Sequence, residues 1–123
     1  MKDETLGTRT IEAELQEAIL KLYGDVAANP TGDYHFFHGA DAVRRFGYPP
    51  LDLATAAPGA VECFAGVGNP LERAGLTEGE QVLDLGSGAG LDSILAAKRV
   101  GSSGATYGVD FNGAMRTKAT QHA

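Results

Sequence analysis

The chain has 123 residues and a formal net charge of −6, enough for one modest core and too acidic for nonspecific binding to nucleic acid or an anionic membrane. Its one cysteine, Cys63, excludes an internal disulfide and a cysteine-rich zinc site. No apolar run approaches the roughly 20 residues of a membrane span, and the N-terminal MKDETLGTRT lacks an apolar signal region, so a soluble, cytoplasmic protein is expected.

Over residues 10–23, Ile11, Leu15, Ala18, Ile19 and Leu22 recur at steps of three and four, which predicts a helix with one apolar stripe. Gly24 is its expected stop. Residues 25–38 read as irregular, with turn chemistry at Asn29-Pro30 and Thr31-Gly32-Asp33 and the densest aromatic cluster in the chain, Tyr34, Phe36 and Phe37. Short helices are expected over 40–46, 51–56 and 60–65, with Pro49-Pro50 and Pro58-Gly59 as breaks. Pro70 suits the first position of another, through Ala74. Residues 1–75 are thus a helical cap region, and residues 76–123 differ in character. Gln81–Leu85 is apolar enough for a strand buried on both faces, as in a parallel sheet. A glycine turn over 86–90, a helix over Leu91–Val100, a strand over Ala105–Val109 and a last helix capped by Asn112 follow. Arg44-Arg45 and Lys98-Arg99 read as solvated helix faces. His35 and His38 have no third ligand at a suggestive spacing, so no metal site is expected.

The chemistry concentrates at the glycine turn. A strand end running into a helix offers backbone N–H groups and the positive end of the helix dipole to a ligand, and glycines let the backbone turn tightly there. Gly86, Gly88 and Gly90 alternate. The dinucleotide fingerprint wants its third glycine one residue later, where this chain has Leu91, which disfavours a nicotinamide site. The alternating spacing is the one associated with S-adenosylmethionine. Asp110 stands 20 residues beyond Gly90, at the tip of the second strand, the position from which a carboxylate accepts hydrogen bonds from ribose hydroxyls. Asp84, just before the turn, either anchors it or faces the ligand's amino group. The competing reading is a turn that only packs a helix on a strand.

At these residues the chain resembles a known family. The run VECFAGVGNPLERAGLTEGEQVLDLGSGAGLDSILAAKRVGSSGATYGVDFNGAM is similar to the first half of arsenite S-adenosylmethionine methyltransferases. Gly68-Asn69-Pro70, DLGSGAGLDS, AAKRVG and GVD carry the likeness, together with Tyr23-Gly24. The resemblance implies an α/β chain: a partial Rossmann-like class I methyltransferase fold, one βαβ unit preceded by a string of N-terminal helices. It implies S-adenosylmethionine as cofactor, held at Asp84, Gly86, Ser87, Gly88, Gly90, Asp110, Phe111 and Met115, with Tyr23 closing over the methionine end.

The chain departs from the family in two ways. A family cysteine in the turn before Gly68 is Val67 here, and residues 25–38 contain no cysteine. Cys63 is out of register and reads as a small buried apolar residue. A soft metalloid prefers several sulfur ligands, and this segment lacks the arsenic-binding cysteines that the resemblance implies. Only 13 residues follow Asp110, whereas the family's remaining strands and acceptor pocket lie beyond that point. The expected protein is therefore truncated: the cofactor-binding portion of a small-molecule methyltransferase, not catalytic alone. Two parallel strands leave open edges, and a homo-oligomer is the expected remedy. The alternative is a non-catalytic, self-associating module with a relic cofactor turn.

Overall fold

The computed structural model describes residues 2–123, with side chains from Thr10 onward. Helix α1 (Lys2–Ala28) is longer than its apolar stripe predicts. Gly24 does not stop it. A glycine inside a helix costs about 1 kcal/mol relative to alanine, whereas burying one valine side chain returns about 1.5–3 kcal/mol. The turn after Gly24 buries both Val26 and Ala27, and that burial wins. The helix ends where Pro30 disfavours helical backbone at Asn29. Further forward, Ile11 and Leu15 are 66% and 59% exposed, so the first part of the stripe lies against solvent.

Four short helices follow: α2 (Gly39–Arg45), α3 (Pro50–Ala54), α4 (Pro58–Glu62) and α5 (Leu71–Ala74). Pro50 and Pro58 open α3 and α4 instead of breaking the chain, because the first helical position needs no N–H. The helices wrap a core of Ala42, Val43, Tyr48, Ala60, Phe64 and Leu71. Tyr34 and Phe36 pack on a second cluster built from Val26, Ala27, Cys63, Ala89 and Met115. Phe37 stays outside, under the Arg45 guanidinium at 4.1 Å.

Strands β1 (Gln81–Leu85) and β2 (Ala105–Val109) pair in parallel, with Gln81 opposite Ala105 and Leu85 opposite Val109. Between them runs α6 (Leu91–Val100), and α7 (Gly113–His122) closes the described order. Helix α6 buries Leu91, Leu95, Ala96 and Val100, and Val82 of β1 packs on the same core. Arg99 is only partly solvated. Its guanidinium donates to the Leu71 carbonyl at 2.8 Å and to Asp52 at 3.1 Å, tying α6 to α5 and α3.

The strands are not buried on both faces as expected. Leu83, Leu85, Tyr107 and Val109 point away from α6 and are 45–75% exposed. Alternation along a strand sends every second side chain to the opposite face, and nothing in the described chain packs there. The apolar run of β1 is suited to a two-sided cover that this chain supplies on one side. Among the described residues, no helix is long and apolar enough to cross a membrane.

Candidate functional site

The glycine turn joins β1 to α6 through left-handed backbone at Gly86, Gly88 and Gly90, with φ of 72°, 54° and 96°. Such φ values cost an L side chain about 1–2 kcal/mol each. The turn is pinned to the end of β2. Both Gly86 and Ser87 donate their N–H groups to the Val109 carbonyl, at 2.8 and 3.0 Å. Gly88 donates to Asp110 Oδ2 at 2.9 Å. The Asp110 carboxylate also accepts from the Asn112 N–H at 2.8 Å. An ionised carboxylate has about four acceptor positions, so these two bonds leave Asp110 capacity for a ligand.

Asn112 fixes the far wall. It is 4% exposed, its side-chain oxygen caps α7 by accepting from the Met115 N–H at 3.0 Å, and its amide donates to the Leu20 carbonyl of α1 at 2.9 Å. One buried side chain thereby joins the first helix to the last. Gly108 lies on the α6 face of β2. A side chain there would collide with the hydroxyls of Ser87 and Ser93, about 3 Å from an ideal Cβ.

These elements enclose a cavity of about 320 Å³, within the usual range for small-molecule sites. Tyr23, Gly86, Ser87, Gly88, Gly90, Asp110, Phe111 and Met115 all line it. Asp84 does not. It sits on the α6 face of β1, where its carboxylate accepts from the Ser93 hydroxyl at 2.6 Å, so its visible work is to anchor the helix that follows the turn. Cys63 also lines the cavity, from the end of α4. It is 3% exposed, and burial pushes its thiol above its ordinary value.

Two residues of the site escaped the sequence reading. Asp92, in the first turn of α6, faces the cavity. The hydroxyl of Tyr48, 44 positions earlier, lies 2.5 Å from Asp92 Oδ1 and 3.1 Å from the Gly68 carbonyl. A hydroxyl has one proton, and the shorter contact to the carboxylate takes it. Burial drives the Asp92 carboxyl above its ordinary range, the Tyr48 hydrogen bond opposes this, and the nearby Asp84 charge adds to it. The signal for Asp92 was its place directly after Leu91 at the helix start. No local signal marks Tyr48.

The cavity is acidic. Among the described residues its charged lining groups are Asp92 and Asp110, and no lysine, arginine or histidine of that set lines it. The N–H of Gly88, a donor that would face a phosphate in a dinucleotide turn, is taken by Asp110. A nucleoside whose other end carries positive charge fits this lining, and a pyrophosphate does not.

Residues 76–123 match the methyltransferase domain family. The parallel strand pair, the glycine turn and the helices around them form part of a class I methyltransferase fold. Over 102 residues the chain is 42% identical to an arsenite methyltransferase of Halobacterium salinarum, an alignment covering 80% of this chain and 26% of that protein. Over 108 residues it is 32% identical to an arsenite methyltransferase of Aquipseudomonas alcaligenes, covering 88% of this chain and 30% of the relative. The chain thus spans less than a third of the length of these curated relatives. No solved structure gave a significant match.

Proposed function

We propose that this methyltransferase-related chain binds S-adenosylmethionine in the cavity beneath the glycine turn, and that it is the cofactor-binding portion of a small-molecule methyltransferase. One observation supports this best: among the described residues the cavity's charged groups are two carboxylates, with no cationic side chain beside them. S-adenosylmethionine brings a sulfonium and an ammonium to such a lining, and it supplies an electrophilic methyl group with a neutral thioether as leaving group. Asp110 accepts the ribose hydroxyls, Phe111 covers the base, and Tyr23 with Met115 borders the amino-acid end. In this reading the chain binds the cofactor and does not turn over alone.

Calorimetry with S-adenosylmethionine and S-adenosylhomocysteine tests the assignment, alongside NAD as the rival cofactor. Micromolar to sub-millimolar binding of the first two is expected. Absence of binding at millimolar ligand, or preference for NAD, would sink it.

A second reading is favoured by the uncovered sheet face. Leu83, Leu85, Tyr107 and Val109 form a contiguous apolar patch, and such a patch suits self-association. In that reading two copies cover each other's sheets and the glycine turn is a relic. Light scattering separates the two: a strict monomer that binds the cofactor excludes the assembly module.

A further inference from the structure

The S-adenosylmethionine reading leaves one acidic group of the cavity without work. Asp110 serves the turn and the ribose. Asp92 stands on a different element, in the first turn of α6, and its two oxygens differ sharply in surroundings. Oδ1 is held by the Tyr48 hydroxyl at 2.5 Å. Tyr48 is itself 4% exposed and its ring packs edge-on against Phe64, with centroids 5.3 Å apart. Among the described residues no hydrogen bond engages Oδ2, although Asp92 lines the cavity. The second acid close by, Asp84, is already bonded to Ser93.

A cavity-lining carboxylate with one oxygen clamped and the other without a hydrogen bond among the described residues is an acceptor waiting for a donor. The positive end of α6 stabilises its charge only in part. A neutral ligand would leave it desolvated and unpaired, which is costly. A sulfonium offers charge but no N–H. An alkylammonium offers both, and charge-assisted N–H···O bonds are about twice as strong as neutral ones.

We infer that Asp92 receives the ammonium group of the bound cofactor through Oδ2, and that Tyr48 is the positioning residue that aims it. This rests on the proposed S-adenosylmethionine site, and it adds a selectivity: the cavity distinguishes nucleosides by whether they carry an amino-acid tail.

The test uses the intact chain and three probes in calorimetry. S-adenosylmethionine and S-adenosylhomocysteine carry the ammonium, and 5′-methylthioadenosine lacks it. Asp92→Asn is expected to weaken the first two by about 10- to 100-fold, as loss of a charged hydrogen bond requires, and methylthioadenosine by less than about 3-fold, within the range of a surface change. Tyr48→Phe is expected to show the same pattern at smaller size. If Asp92→Asn leaves S-adenosylmethionine affinity unchanged, or weakens all three probes alike while still melting cooperatively, the inference is wrong. If the loss appears with S-adenosylmethionine and not with S-adenosylhomocysteine, the carboxylate reads the sulfonium and the ammonium assignment falls. Should Asp92→Asn fail to fold, Tyr48→Phe decides by the same criteria. Failure of S-adenosylmethionine and S-adenosylhomocysteine to bind the unmodified chain overturns the cofactor reading itself, whereas binding of both at an affinity no higher than that of methylthioadenosine overturns only the role of Asp92.

Discussion

The Asp110 carboxylate and the Gly88 N–H meet at 2.9 Å across 22 positions of sequence. The acid at the tip of β2 therefore shapes the glycine turn before it touches any ligand. Asp110→Ala removes this bond and the one from the Asn112 N–H. A loss of about 1–3 kcal/mol in urea unfolding is expected, the usual cost of deleting a charged acceptor, together with at least a tenfold loss of S-adenosylmethionine affinity. Unchanged stability would mean that the turn holds its shape without the acid.

Asn112→Ala tests the link between the ends of the chain. It removes the α7 cap, worth about 1 kcal/mol, and the bond to the Leu20 carbonyl. A total near 2 kcal/mol is expected on typical hydrogen-bond magnitudes, with faster hydrogen exchange at the Met115 amide. Exchange that stays at the parent rate would show that α7 does not depend on this cap.

Stability should carry a pH signature from Asp92. Its folded carboxyl is raised above the ordinary value of 3.8, chiefly by burial. In the window from 3.8 up to the folded value, the native state holds more protons than the unfolded state, so stability falls as pH rises through that window. Asp92→Asn should flatten this part of the profile while leaving the contributions of other acids in place. Cofactor affinity should run the other way and weaken on acidification through the same window, because the charged carboxylate is the form that accepts an ammonium. Urea midpoints and calorimetry across pH 4–7 check both slopes.

Cys63 reports on the cavity. Its thiol is buried and held in the protonated form, and the thiolate is the reactive species. Alkylation by iodoacetamide should be slow in the native chain, slower with S-adenosylmethionine bound, and fast in urea. Reaction at the unfolded rate under native conditions would show that the wall formed by α4 stands open.

The elements of residues 76–123 were legible in the sequence with their bounds, because turn chemistry marks both ends of each strand and helix. Gly86, Gly88 and Gly90 fixed the turn, and Asp110 followed from its distance to them. The cap region was less legible. Gly24 is a plausible stop until the burial of Val26 and Ala27 is known, and Pro50 and Pro58 serve equally as breakers or as first helical residues. Arg99 read as solvated because its partners, Leu71 and Asp52, are distant in sequence. The same holds for Tyr48 and Asp92, whose pairing is wholly tertiary. The strand exposure was misjudged because an apolar strand states what it needs to bury against and not what is there.

The cavity draws its walls from Tyr23 in the first helix, Cys63 in the middle and Met115 in the last helix. No contiguous stretch of chain can form it early. Loops of that span must close before the pocket exists, and their entropy is lost first. A ligand seated there acts as a clasp on the whole molecule. At a concentration 100 times its dissociation constant it adds about 2.7 kcal/mol to the folded state, a large fraction of the total for a chain of this size.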